Sequence, residues 1–342
     1  MSLEILGITV LWTFLYGYLI VASIDFGAGF FSFYCKVKKE DHLVNSIIER
    51  YLSPVWEVTN VFLVFFFVGL IGFFPSTAYY YGTALLVPGS IALVLLSLRG
   101  SFYAFAHYGV RNSMLYTGVY GLTGLFIPAS LATVLTISEG GFIRETNGLV
   151  EFLSDQLLKS PYAWSVVILA IVSILFISAS FLTYYADKAK DRKSTVIFHK
   201  YAIMWSLPTI FASMLVFFAI YQHNPEHFQN MLDISWLFLL SLASFLVALA
   251  LLLKKKHYGW AFVMVMLQFA FAFYGYGISH LPYLLYPYIT ISDSINSPVM
   301  GKALVTGFIV GLCLLIPSLY LLMKMFLFDV KYVQGKEKAV QR

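Results

Sequence analysis

The sequence predicts an all-α, polytopic membrane protein of nine transmembrane helices, arranged as two four-helix bundles plus one peripheral helix. Three observations carry that expectation. Of 342 residues, 60% are hydrophobic and only 11% charged, against about 25% charged in soluble domains, so there is too little charge to cover a water-facing surface. Apolar runs long enough to cross the hydrocarbon as helices recur along the chain. Lys and Arg crowd into alternate connections between those runs, as the positive-inside bias requires.

The first run, about Leu3 to Phe33, reads as a resident span. It carries Glu4 where a targeting segment would be basic, runs longer than such a segment, and holds Asp25 within it. The others are about Val55 to Phe74, Tyr79 to Leu98, Ser113 to Thr136, Ala163 to Tyr185, Tyr201 to Tyr221, Ser235 to Leu253, Tyr258 to Ser279 and Ala303 to Phe328. The connections are short except before the fifth and ninth spans. Function is therefore expected in the helices or at their ends.

One set of connections receives Lys36, Lys38, Lys39, Arg50, Arg99, Arg111, Lys188, Lys190, Arg192, Lys193, Lys200, Lys254 to Lys256, Lys324, Lys331, Lys336, Lys338 and Arg342. The opposite set has only Arg144, Lys159 and Lys302, among acids that include Glu139, Glu145 and Glu226. This places the amino terminus outside and the carboxyl terminus in the cytoplasm of a multi-pass membrane protein. It also accounts for the net charge of +5 without nucleic acid. The end of the first span, Phe31 to Glu40, echoes the end of the fifth, Leu182 to Asp191. That echo suggests a parallel repeat: residues 1–137 as the first bundle, 138–162 as an external connection, 163–279 as the second bundle, and 280–342 as external loop, ninth helix and cytoplasmic tail.

Two carboxylates lie within the spans, Asp25 and Glu57. An ionisable group in hydrocarbon costs several kcal/mol and normally faces a bundle interior or a water path, so the two acids suggest a proton-carrying pair near the cytoplasmic surface. Asn60 shares a helix face with Glu57 and could join the cluster, with Trp56 supporting it. Blander roles stay open: Glu57 as an acid of the first helical turn behind Pro54, Trp56 as an interfacial aromatic, and Asp25 as a hydrogen-bonding partner between helices. The small residues Gly27, Ala28 and Gly29 permit close contact beside the acid. Arg99 is placed at the cytoplasmic end of the third span, where it balances the acids, binds lipid phosphate or simply anchors the helix. Cys35 and Cys313 are too far apart to suggest a thiol site. The histidines fall in loops or at span ends, without the facing mid-helix pair that a bundle-held haem needs. His223 and His227 flank Pro225 in what reads as a short external loop, a poor metal site, so no metal ligands are expected. Ser292 to Pro298 reads as a turn or helix cap.

Three segments then resemble a known family, subunit II of cytochrome bd-type quinol oxidases, especially its short Gram-positive forms. Ser23-Ile-Asp-Phe-Gly-Ala-Gly29 is similar to the family's Gly-Phe-Asp-Leu-Gly-Val-Gly. Ser53-Pro-Val-Trp-Glu-Val-Thr-Asn-Val-Phe62 resembles Gly-Pro-Val-Trp-Asp-Gly-Asn-Glu-Val-Trp, with Glu57 for Asp. Arg99-Gly-Ser-Phe-Tyr-Ala-Phe105 resembles Arg-Gly-Val-Ala-Phe-Glu-Phe. The resemblance implies a non-autonomous subunit of a proton-gradient-generating oxidase that oxidises quinol and reduces dioxygen to water. It implies a larger partner, subunit I, holding haem b and haem d-type groups, and none held by this chain alone. A small single-span subunit, membrane lipids and quinol are further expected partners. Asp25 and Glu57 would then serve a proton path, supported by Asn60 and Trp56. A secondary transporter, which would need discontinuous helices around a central site, and a purely structural membrane subunit are the alternatives.

Overall fold

The apolar runs fold as helices in the computed structural model, which describes residues 3–108, 114–292 and 298–324. Within those helices, the side chains of residues 41–46, 49–58, 103–108, 298, 319, 322 and 323 lie outside the description. The long helices are α1 (Leu3–Val37), α2 (Asp41–Phe73), α4 (Leu86–Tyr108), α5 (Met114–Ser138), α7 (Pro161–Lys188), α8 (Arg192–His223), α10 (Ser235–Leu253), α11 (Tyr258–His280) and α12 (Pro298–Met323). Shorter helices are α3 (Ser76–Ala84), α6 (Ser154–Lys159) and α9 (Pro225–Asp233). The all-α class holds, with two small antiparallel hairpins added between helices: β1 (Ile143–Thr146) with β2 (Leu149–Phe152), and β3 (Tyr283–Leu285) with β4 (Ile289–Thr290).

Among the described residues, seven helices are long and apolar enough to span a membrane, or eight if α3 and α4 count as one bent span. A shorter apolar stretch, Thr59–Phe73, completes α2. Three sequence expectations change. The third span is not continuous from Tyr79: α3 and α4 meet at Leu85 and are bent by 76°. Pro88 supplies a reason, because it has no amide to bond the carbonyl of Ala84 one turn back. The same helix continues past Arg99 to Tyr108, so Arg99 is not at its end. Finally, α2 begins at Asp41, so Glu57 does not stand in a first helical turn behind Pro54. Interior prolines are tolerated in membrane helices because neighbours re-satisfy the freed carbonyl. The Ser292 to Pro298 turn falls mainly on residues 293–297, outside the described residues.

Helix α1 is central, packing on α2, α5 and α7, while α7 packs on α8 and α10 on α11. Gly27 makes the α1–α7 approach tight: a Cβ there would collide with Cβ of Ser178. The Ser178 hydroxyl donates to the Ile24 carbonyl at 3.1 Å across the same seam. One apolar core lies along α1, α7, α8, α10 and α11 and includes Phe31, Phe176, Leu182, Tyr185 and Phe198. Another gathers Phe14, Phe66, Phe73, Phe142, Tyr162 and Phe308.

The two echoing segments end their helices identically. Lys39 and Lys190 both take φ 59°. The Glu40 amide donates to the Cys35 carbonyl at 2.8 Å, and the Asp191 amide to that of Ala186 at 3.0 Å. Both ends use a left-handed residue to satisfy the last carbonyls of the helix. At the other face, the connections after α5, α8 and α11 meet: His223 contacts the Gly140 carbonyl at 3.1 Å, and the Tyr286 amide donates to that of Ser138 at 2.9 Å. The expected external connections thus gather on one face.

Candidate functional site

Asp25 sits on α1 where the small residues begin, and it is 2% exposed. Its ionic partner is Arg99 of α4, itself fully buried, with Nη2 at 3.3 Å from Oδ2. The guanidinium is held from several directions. Nε donates to Asp25 Oδ2 at 3.3 Å, Nη2 to the Asp25 carbonyl at 2.9 Å, and Nη1 to the Tyr120 carbonyl at 2.6 Å. Its carbon lies 3.8 Å from the centre of the Tyr120 ring and 5.2 Å from that of Phe26, positions that suit cation–π attraction. Tyr120 closes the loop by donating its hydroxyl to Asp25 Oδ1 at 3.3 Å.

The glycines allow this approach. A Cβ on Gly29 would stand 2.9 Å from Arg99 Nη2, and one on Gly124 would stand 3.3 Å from Nη1. Tyr18 lies two helical turns before Asp25, on the same face, and its buried hydroxyl has no hydrogen-bond partner among the described residues.

Asp25 therefore lies in the protein interior, as expected of a spanning acid, and Arg99 is drawn in to compensate it. Of the roles left open for Arg99, balancing an acid is the one the geometry takes up; a lipid phosphate cannot reach a guanidinium 1% exposed. Glu57 and Trp56 belong to α2, but their side chains lie outside the described residues. Asn60 is half-buried on the same helix, three residues beyond Glu57.

A second polar cluster forms at the opposite face. Glu139 follows the last residue of α5 and is 2% exposed. His227 Nδ1 lies 2.9 Å from both carboxylate oxygens. His280 Nδ1 is 3.4 Å from Oε1. The Tyr276 hydroxyl donates to Oε1 at 2.5 Å, and Asn224 Nδ2 donates to Oε2 at 3.1 Å. Burial alone would raise the Glu139 pKa, but the hydrogen bonds and charge of His227 and His280 hold it below the usual carboxylate range.

The segment around Pro225 is helix α9, not a plain loop. Pro225 takes the first turn, where its missing amide costs nothing, and Asn224 caps the helix by accepting from the His227 amide at 3.2 Å. His223 faces elsewhere, stacked on the rings of Phe142 and Tyr162, so His223 and His227 do not form a pair. Sequence reasoning missed this cluster. Its one local signal is an acid directly before Gly140-Gly141; the two histidines lie 88 and 141 residues away in the chain.

A family model described as "Cytochrome bd terminal oxidase subunit II" matches residues 3–326. A Bacillus subtilis (strain 168) protein described as "Putative cytochrome bd menaquinol oxidase subunit II" is 33% identical over 343 residues, covering 97% of this chain and 98% of that protein. A chain in the structure of bd oxidase from Geobacillus thermodenitrificans is 57% identical, with TM-score 0.84 over 96% of this chain and 100% of that one.

Proposed function

Because the chain belongs to the cytochrome bd terminal oxidase subunit II family, and so is one subunit of a membrane-bound quinol oxidase complex, we propose that it supports the haem-bearing subunit I and helps deliver cytoplasmic protons for reducing dioxygen to water. The observation that carries this reading is the buried Asp25, bonded at once to Arg99 and to the Tyr120 hydroxyl. Arg99 keeps its protons at any working pH and acts as a fixed positive charge. That charge and the Tyr120 hydroxyl hold the Asp25 side chain in one place in the interior, where a proton relay would need it.

In this proposal Glu57 takes up the proton on the cytoplasmic side, with Asn60 and Trp56 holding it in position, and Asp25 passes it onward. The transporter alternative is disfavoured by the family. Among the described residues the one bent span, α3 with α4, breaks at Leu85, fourteen residues from Arg99 in the same helix pair. The bundle division at residues 137 and 163 remains part of the proposal, supported by the matching turns after α1 and α7. So does the orientation with the carboxyl terminus inside. Cys substitutions at Lys38, Lys190 or Lys255, all exposed, should be labelled in intact cells only by a membrane-permeant reagent, and those at Glu145 or Glu226 by an impermeant one. The reverse pattern would overturn the orientation.

The complex contains haem, but the described side chains of this chain offer it a poor site. Buried His199 already bonds the Leu252 carbonyl at 2.8 Å. The apolar cavity beside His280 and Tyr276 measures about 190 Å³, less than the roughly 300 Å³ at which pockets for larger ligands begin. We place haem b and haem d-type groups in subunit I, along with quinol oxidation. The chain purified alone should show no stoichiometric haem in a pyridine haemochromogen assay, whereas the chain purified with subunit I should come with it. Firm haem binding by the isolated chain would contradict this division. The exposed Leu93, Val94, Leu314 and Ile316 provide apolar surface for lipid, subunit I or a small single-span subunit.

A further inference from the structure

We propose that Glu139, His227 and His280 form a binding site for a divalent transition-metal ion of the zinc class at the external end of the subunit. One carboxylate oxygen and one nitrogen from each histidine lie within 4.8 Å of one another. A tetrahedral zinc site with bonds near 2.0–2.1 Å separates neighbouring ligand atoms by about 3.4 Å. The measured separations from Glu139 Oε1 are 2.9 Å to His227 Nδ1 and 3.4 Å to His280 Nδ1. His280 Nδ1 thus already stands at that spacing from the carboxylate, and the two imidazoles lie within 4.8 Å of each other.

The surroundings supply outer bonds to two of the three ligands. With Nδ1 of His227 turned to the ion, its Nε2 donates to the Ser279 hydroxyl at 2.7 Å, the outer bond that fixes a ligating imidazole. Tyr276 and Asn224 similarly fix the two carboxylate oxygens. With Nδ1 of His280 turned to the ion, its Nε2 is left buried and with no hydrogen-bond partner among the described residues. Asn224, Glu226, His227, Asn230, Ser279 and His280 line a small cavity of about 10 Å³, room for about one water. It borders His227 and His280 and so offers a way for water or an ion to reach the two imidazoles. The exposed Glu226 stands at its edge and favours approach of a cation.

Such an ion would tie the end of α5 to α9 and to the end of α11, segments far apart in the chain. Its role is then a clip across the external face, independent of the proton route on the other side.

The test uses the whole oxidase complex, stripped with chelator, equilibrated with Zn²⁺ alone and freed of loosely held metal. Mass spectrometry of zinc relative to haem iron should find one zinc per complex that is lost in His227→Gln and in His280→Gln. The zinc K-edge spectrum of the wild type should show two imidazole nitrogens with oxygen at about 2.0–2.1 Å. Added zinc should raise the unfolding midpoint by at least about 2 °C, since a ligand that binds only the folded state stabilises it. Retention of no zinc, or equal retention in both variants, would overturn the site. If neither variant assembles, the wild-type spectrum decides: an oxygen-only shell overturns it. Oxidase turnover is not the readout, so failure here leaves the proton-path reading standing.

Discussion

In Asp25→Asn, quinol-driven oxygen consumption per assembled haem is expected to fall by at least about tenfold, within the range that removal of a positioned proton-transfer group produces. The substitution keeps the side-chain shape but removes the charge that compensates Arg99. Breaking a buried ion pair from one side costs about 3–5 kcal/mol, because the other charge stays buried alone. Reduced yield of the complex is therefore expected as well, and a low turnover by itself would not separate a proton role from a packing role. The double substitution Asp25→Asn with Arg99→Gln makes the separation. It restores neutrality to a pocket in which both side chains are at most 3% exposed. If Asp25 relays protons, the double variant should recover thermal stability and assembly while turnover stays low. If Asp25 only holds helices together, stability and turnover should recover in step, and the subunit is then structural at this position.

The sequence exposes some parts of this site and conceals others for physical reasons. Asp25 stands out because any carboxylate in a run this apolar needs a special environment, and the small residues after it signal close packing, which Gly27 and Gly29 bear out. Arg99 is misplaced by the same logic that orients the chain. Counting cations by connection cannot distinguish an arginine at a helix end from one in the interior of a helix that runs on to Tyr108. Its partners, Asp25 and Tyr120, lie 74 and 21 residues away, a pairing that only the folded bundle reveals. Glu139 reads only as one acid of an external connection because its histidines come from α9 and α11, and nothing local announces them.

The hairpin of β1 and β2 is a different kind of omission. Asn147 and Gly148, at φ 54° and 75°, are the residue pair that two-residue hairpin turns favour, and β1 and β2 pair directly across them. A search tuned to long apolar runs passes over four-residue strands. The bend at Leu85 is hidden for a related reason: Tyr79 to Tyr81 add enough aromatic character to extend the apparent span backward, and Pro88 is the one mark against it.

Glu57→Gln is the second substitution expected to have a large effect. Helix α2 starts at Asp41, so the acid lies well inside a helix, and stabilisation of an exposed helix start no longer accounts for its presence. An acid on the helix that packs against α1, two residues before its apolar stretch Thr59–Phe73, is placed to take up a proton at the edge of the membrane. Turnover per haem should fall by at least about tenfold in Glu57→Gln, with haem content and subunit stoichiometry unchanged. Glu57→Asp keeps the proton-carrying group with one methylene less reach, so it should lie between Gln and wild type. The ordering is the diagnostic, because a steric or packing defect ranks Gln, the closer match in shape, above Asp. Asn60→Ala, one turn away, should shift the pH profile of turnover without abolishing it if Asn60 only positions the acid. Should Glu57→Gln assemble and turn over as wild type across the pH range, proton uptake through α2 is wrong, and Asp25 would have to receive its proton by another route.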